Sequence, residues 1–158
     1  MIVRRIVRNL AAGALALGLA ATGGAAREPS AHDFVASIYA AHIGPNEGFA
    51  LDADGDFRRY FEPALAACMI RAAHDARDER DRARRGHDAF VDASSWSFKA
   101  VRVAISPLGV RRAVATVTFD EAGAAKTIRL DLVRLRIGWR ITDIHAPSGD
   151  LRARLMAK

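Results

Sequence analysis

Hydrophobic positions in the first half of the chain recur at helical spacing in two places. Ser30 and Asp33 have the spacing of a capping box, and apolar residues then return every three or four positions as far as His42. A second periodic segment begins near Phe61, with Pro63 at a first-turn position where proline is tolerated. The pattern therefore predicts two amphipathic helices.

Two polar stretches accompany these helices. Residues 52–56 hold three aspartates and one glycine, which suggests a calcium loop at first. An EF-hand loop requires glycine at position six and glutamate at position twelve, whereas counting from Asp52 puts Gly55 at position four and Pro63 at position twelve. We interpret this stretch as a polar loop. Residues 71–88 combine six arginines with five acidic residues, several of them four apart, which predicts a solvated helical extension. Their net charge of +1 gives no support to a clamp for RNA or phospholipid.

The second half of the chain changes to the period-two alternation of strands. Four runs alternate apolar with polar residues: 101–105, 113–119, 128–132 and 139–144. Short turn sequences separate the runs, and Pro147 and Ser148 end the last one before a short helix that contains Leu151 and Leu155. Helices followed by strands predict an α+β fold. We expect a curved antiparallel sheet of about four strands, with two N-terminal helices on one face and a short C-terminal helix.

The first 26 residues have the composition of an export signal. Three arginines precede an uncharged run over residues 10–22, and a small-x-small pattern ends at Ala26. The run is too short to cross a bilayer core of about 30 Å as a helix. We interpret residues 1–26 as a cleavable signal peptide, the alternatives being a retained anchor or a buried N-terminal helix. Residues 27–158 are then expected to form a single α+β domain in the periplasm or outside a bacterial cell, with no stable membrane span after cleavage.

Charge and cysteine content narrow the classes of partner. The whole chain has a formal net charge of +6, and loss of the leader leaves 21 basic against 18 acidic residues, or +3. This modest excess does not favour nucleic-acid binding. Cys68 is the only cysteine, so an internal disulfide is impossible and the fold must rest on its core.

The sequence contains no nucleophile elbow, P-loop, dinucleotide fingerprint or H-E-x-x-H motif, so no cofactor and no metal are expected. Alternation along the last strand would place Trp139, Ile141 and Asp143 on one face. A carboxylate beside apolar neighbours must find hydrogen bonds or a cation, or its pKa rises. Asp143 is therefore either a structural acid bonded to an arginine or to backbone N–H groups, or a pocket base or ligand anchor. His145, two residues on, is expected on the same side of the strand as Asp143.

Five segments of the chain carry a resemblance to a known family. They are residues 34–39, 60–65, 88–92 with Trp96, 138–144 and 151–155. Together they resemble the exported bacterial proteins grouped as domain of unknown function 3828. That resemblance implies a cystatin-like, nuclear-transport-factor-2-like cone, in which helices close one side of a curved sheet and leave a pocket. It also makes the mouth of the cone the expected site, lined by Tyr39, Tyr60, Trp96, Trp139 and Asp143.

These observations favour a non-catalytic binding module for a small apolar molecule or an envelope protein. The alternative is an enzyme of the isomerase or dehydratase type, in which Asp143 removes a proton and Tyr39 or Tyr60 stabilises the oxyanion. A third possibility is a purely structural or inhibitory module, which would have a filled cone and an exposed apolar patch.

Overall fold

The helices and the sheet of this protein are described in a computed structural model over residues 28–48, 51, 54–75 and 87–157. Residues 1–26, which we interpret as a signal peptide, lie outside the described residues. So does most of the charged stretch that was predicted to extend the second helix, of which only residues 71–75 and 87–88 are described.

Four helices occur in the described part of the chain. They are α1 (Ala31–Ala40), α2 (Asp54–Tyr60), α3 (Pro63–His74) and α4 (Leu151–Met156). Both predicted amphipathic helices are confirmed as α1 and α3, and the short C-terminal helix is confirmed as α4. None of the described helices is both long enough and apolar enough to span a membrane.

The starts of α1 and α3 follow the sequence signals. Ser30 Oγ accepts the backbone N–H of Asp33 at 3.1 Å, and the Asp33 carboxylate accepts the Ser30 N–H at 3.2 Å, so the capping box is complete. Pro63 occupies the first turn of α3, where its missing N–H costs no intrahelical hydrogen bond.

The predicted polar loop over residues 52–56 is wrong for the residues that are described. Asp54 and Asp56 form the first turn of α2 instead. Negative side chains there interact favourably with the positive end of the helix dipole, and the buried ring of Phe57 anchors the helix to the core. Asp54 and Asp56 therefore belong to the start of a helix rather than to a loop.

Seven strands in the described residues form two antiparallel sheets. A small sheet pairs β1 (Gly44–Pro45) with β2 (Ser97–Phe98). The main sheet has the order β3-β4-β5-β6-β7, each strand paired with the next in the chain. Its strands are β3 (Val101–Pro107), β4 (Arg112–Glu121), β5 (Ala124–Leu135), β6 (Gly138–Ala146) and β7 (Gly149–Asp150). The four predicted strands are confirmed, with β7 as a two-residue addition.

Two tight turns set the register of the main sheet. Ala122 and Gly123, which join β4 to β5, both have positive φ, the geometry that suits a two-residue hairpin with right-handed strand twist. Gly109, in the turn between β3 and β4, has a φ of 110°, a conformation that side-chain-bearing residues rarely adopt.

The last long strand does not alternate as the sequence analysis expected. Leu132 pairs with Ile141 but the adjacent Asp131 pairs with Asp143, so Thr142 is an extra residue in a β-bulge. Ile141 and Ile144 are consequently both fully buried. Asp143 shares its register position with Asp131, on the side of the sheet away from Ile141. The prediction that Asp143 lies on the Ile141 face is therefore wrong.

The helices cover one face of the main sheet. α1 packs against β3 and β4, α2 against β6, and α4 against both β6 and α3. Burial of each large side chain between the layers contributes roughly 1.5–3 kcal/mol. The largest fully buried apolar side chains are Tyr39, Phe61, Phe90, Ile38, Leu65, Ile128, Leu130, Ile141 and Ile144. This mixed arrangement of helices and antiparallel strands confirms the α+β class.

Replacing the capping serine tests the first helix. We expect Ser30→Ala to lower the free energy of unfolding by about 1 kcal/mol, because the backbone N–H of Asp33 loses its side-chain acceptor. Ser37→Ala on the same helix is the matched control: Ser37 Oγ only bonds back to the Phe34 carbonyl at 2.7 Å on an exposed face. Urea unfolding measures both. Equal stability of the two variants would contradict the role given to the cap.

Candidate functional site

An apolar groove runs between the α2–α3 region and the β5–β6 hairpin. Its volume is about 410 Å³, within the range of roughly 300–1,000 Å³ that is typical of small-molecule sites. The groove is lined by Phe61, Pro63, Ala66, Ala67, Ile70, Leu135 and Ile137, together with Arg58 and Arg140. It is therefore an apolar trough with two cationic side chains.

The Arg140 guanidinium is held in place by main-chain oxygens. Its Nε donates to the carbonyl of Arg58 at 3.1 Å, and its Nη1 donates to the carbonyl of Trp139 at 2.7 Å. Burial lowers the pKa of Arg140 from its ordinary value. Among the described residues, neither Arg58 nor Arg140 forms an ion pair with a carboxylate. The groove thus carries positive charge that this part of the chain does not neutralise.

Tyr39, Tyr60 and Trp96 surround a different centre, formed by Phe90 and His42. Tyr39 is fully buried and its hydroxyl donates to the Phe90 carbonyl at 2.7 Å. Burial raises the pKa of Tyr39 well above its ordinary value, and the charge of the Asp88 carboxylate adds to the effect. The ring of Tyr60 meets Phe90 edge-on, with centroids 6.3 Å apart.

Trp96 ties this aromatic cluster to the loop after α1. Its indole N–H lies 3.0 Å from the Glu47 carbonyl and 3.3 Å from the His42 carbonyl, and its ring is 6.0 Å from the His42 ring. Its backbone N–H donates to the Asn46 side chain at 2.8 Å. These contacts give Trp96 a defined structural role.

Trp139 and Asp143, the other two predicted site residues, both lie on β6. Trp139 is half-buried against the core. Asp143 Oδ1 accepts the backbone N–H groups of Ile144 at 2.9 Å and Arg152 at 3.0 Å. Asp143 therefore bonds to the first turn of α4, the structural alternative that the sequence left open. None of the five predicted site residues lines the apolar groove, and a binding role for them stays a prediction.

His145 lies between two carboxylates on the outer face of the sheet. Its Nδ1 is 2.7 Å from Asp150 and its Nε2 is 3.0 Å from Asp131. Burial by itself lowers the pKa of His145, but the two hydrogen bonds outweigh it and raise that pKa above its ordinary value. Ligand-type atoms of Asp143, His145 and Asp150 also lie within 4.8 Å of one another. Both imidazole nitrogens already face carboxylates, so this arrangement is accounted for as a charge cluster.

Two further histidine–aspartate contacts were missed by the sequence analysis. His42 is fully buried, with Nδ1 2.7 Å from the Ile38 carbonyl and Nε2 3.2 Å from Asp88. The Ile38 carbonyl can only accept, so Nδ1 is the donor in that hydrogen bond. No local signal announces this contact, because His42 and Asp88 are 46 residues apart.

Asp92 is the second missed centre. Its carboxylate accepts from the Ser148 N–H at 3.0 Å, from the Ser148 hydroxyl and from His87 Nε2 at 2.9 Å. Burial alone raises the pKa of a carboxyl, but these bonds outweigh it and hold the pKa of Asp92 below its ordinary value. A serine, a histidine and an aspartate do meet here. However, both partners bond to the aspartate, so the serine has no base beside it in the way a catalytic triad requires.

Comparison with known proteins gives little for this chain. No family model and no curated protein matches the sequence. Among solved structures, the chain is similar to a phospholipid-binding protein from Ralstonia solanacearum, solved in complex with a phospholipid, with 15% sequence identity and a TM-score of 0.35. The match covers 60% of this chain and 49% of that one, so it spans about half of that protein. A likeness this distant carries no argument about fold or function.

The charge cluster around His145 predicts a pH dependence of stability. A histidine whose pKa is raised by folding stabilises the protein fully below its unfolded pKa of about 6.5, and that contribution is lost as the pH rises through the folded pKa. Asp131, Asp143, Asp150 and Arg129 are the charged groups around it. We expect the stability difference between wild type and His145→Gln, measured by urea unfolding, to shrink between about pH 6 and pH 8. A difference that stays constant over this interval would contradict the analysis.

Proposed function

We propose that this protein is a non-catalytic binding module whose apolar groove takes a small anionic amphiphile, a molecule with an apolar chain and a carboxylate or phosphate head. The observation that carries the proposal is the combination at one groove of an apolar lining and two arginines that have no carboxylate partner among the described residues. An apolar ligand alone would leave both charges uncompensated.

The apolar lining supports binding of the chain of such a ligand. Phe61 and Ala66 at the base are buried, and Ala67 and Ile137 are exposed where the groove meets solvent. Displacing water from this surface stabilises a bound hydrocarbon by about 25 cal/mol for each Å² of apolar surface covered.

The Arg140 guanidinium supports binding of the head. Two backbone carbonyls fix its position, so little side-chain freedom remains to be lost when an anion arrives. A planar guanidinium can donate two parallel hydrogen bonds to a carboxylate or phosphate. An anion would also relieve the cost of a partly buried charge, which the lowered pKa of Arg140 reflects.

The contacts of Asp143 and Tyr39 do not add support to the enzyme alternative. The Asp143 carboxylate bonds to the first turn of α4, and the Tyr39 hydroxyl is buried and bonded to the Phe90 carbonyl. A proton-abstracting pair needs both groups to face a shared cavity. We therefore favour binding over catalysis.

The proposal includes the cellular location and the family. The basic, apolar and small-residue order of residues 1–26 supports export to the periplasm or beyond, where single-chain amphiphiles and lipids are available as ligands. The resemblance of the five sequence segments supports membership of the domain of unknown function 3828. Helices on one face of an antiparallel sheet are compatible with the cone that this family implies.

Filling the groove tests the proposal directly. Ala67 is exposed on α3 and lines the groove, whereas Ala64 is exposed on the same helix and does not. We expect Ala67→Trp to weaken decanoate binding by about tenfold or more, about 1.4 kcal/mol, and Ala64→Trp to leave it unchanged. Isothermal titration calorimetry with folded variants measures both. Wild-type protein that does not bind decanoate, or equal affinities of the two variants, would overturn the groove as the site.

Removing one positive charge tests the preference for an anion. We expect Arg58→Gln to weaken binding of decanoate by about three- to tenfold and to leave binding of the neutral 1-decanol unchanged. Arg59→Gln is the matched control, because the Arg59 guanidinium lies over the Tyr60 ring at 5.5 Å and outside the groove lining. A parallel loss for decanol would mean that Arg58 acts through the shape of the groove rather than through its charge.

A further inference from the structure

Two hairpin turns of the main sheet lie side by side at one end. The β3–β4 turn covers residues 108–111 and the β5–β6 turn covers residues 136–137. Arg112 pairs with Val133 across β4 and β5, and the Arg134 N–H donates to the Arg111 carbonyl at 2.8 Å. These bonds fix the two turns against each other. We refer to residues 108–112 and 134–137 together as the basic tip.

Large aliphatic side chains project from the basic tip into solvent. Leu108 is 65% exposed, Val110 is 88% exposed and Ile137 is 70% exposed. They are three of the five large hydrophobic side chains that are exposed in the described residues, and they come from two adjacent turns. Exposed apolar side chains that cluster on a surface are typical of interaction sites.

The charges of the basic tip all have one sign. It contains Arg111, Arg112, Arg134 and Arg136 and no acidic residue. Arg134 pairs with Glu28, but the other three are exposed and form no ion pair within residues 28–48, 51, 54–75 and 87–157. At the opposite end of the sheet β4 ends with Asp120 and Glu121, and Glu121 forms an ion pair with Lys126 of β5 at 2.8 Å. The basic tip therefore combines exposed positive charge with exposed aliphatic side chains.

We propose that the basic tip docks on the surface of an anionic lipid bilayer. Aliphatic side chains on short turns can enter the boundary between head groups and acyl chains, while neighbouring arginines pair with lipid phosphates, and binding of this kind scales with both contributions. A nucleic acid would use the arginines but would leave Leu108 and Val110 facing phosphates and water. The exposed aliphatic residues therefore favour a membrane over a polynucleotide.

Docking in this orientation places the apolar groove next to the lipid surface. Ile137 belongs to both the basic tip and the groove lining, and Arg140 follows three residues later on β6. A single-chain lipid leaving the bilayer would meet the groove at this end. The docking surface goes beyond the proposed ligand and can fail independently of it, because Leu108 and Val110 do not line the groove.

Vesicle co-sedimentation of the full processed protein tests the docking. We expect binding to phosphatidylcholine vesicles that contain about 30% phosphatidylglycerol, weaker binding to pure phosphatidylcholine, and a steep loss in about 0.5 M NaCl. Val110→Ser combined with Leu108→Ser should reduce the bound fraction about tenfold relative to wild type. Met156→Ser is the matched control, because Met156 is 63% exposed on α4 and away from the tip. All variants carry the same N-terminus, so differences between them cannot arise from the leader.

The arginines are tested with a second pair of variants. Arg111→Gln with Arg112→Gln should lose the preference for phosphatidylglycerol, and Arg102→Gln with Arg129→Gln, both exposed along the strands, should keep it. Equal binding by the tip variants and their controls overturns the proposal, as does a single-stranded oligonucleotide that binds more tightly than the anionic vesicles. Tip variants that keep decanoate binding but lose vesicle binding support it. Loss of both activities together, in folded protein, would instead point to a single shared site and overturn a separate docking surface.

Discussion

The fold depends on the covering of one face of the antiparallel sheet by helices. With one cysteine in the chain, no crosslink can hold the layers together, so apolar contact between them must. Phe90 is central to this contact: its carbonyl accepts the Tyr39 hydroxyl, and its ring lies between His42, Tyr60 and Phe61. Of the aromatic side chains predicted to line a pocket, Tyr39 is fully buried in this contact, whereas Tyr60, Trp96 and Trp139 are half-buried.

The groove exists because this filling is incomplete at one corner. Where α3 passes the β5–β6 hairpin, the helix presents Ala66 and Ala67 rather than large side chains, and the hairpin ends in Leu135 and Ile137. Small residues facing a turn leave space that neither layer occupies. Arg140 borders this space because β6 begins beside it, and its hydrogen bonds to main-chain oxygens keep it there. The positive charge of Arg140 is therefore held at a fixed position beside the groove.

Local signals predicted the elements of this protein better than its site. The capping box, the proline in the first turn and the period-two runs each act over a few residues, and each correctly indicated α1, α3 or a strand. The contacts of His42 with Asp88 and of Asp92 with Ser148 join residues 46 and 56 positions apart, so no short pattern announces them. The groove was missed for the same reason, since its arginines come from α2 and β6 and look like ordinary surface charges in the sequence.

The β-bulge at Thr142 has a consequence for how relatives of this chain are compared. A single extra residue lets one strand send Ile141 and Ile144 inward and Asp143 outward to the start of α4. A homologous strand without that residue would carry every later side chain on the reverse face. In a sequence alignment, positions after 142 are therefore equivalent only among sequences that share the extra residue. A gap placed wrongly there would align a core position with a solvent-facing one.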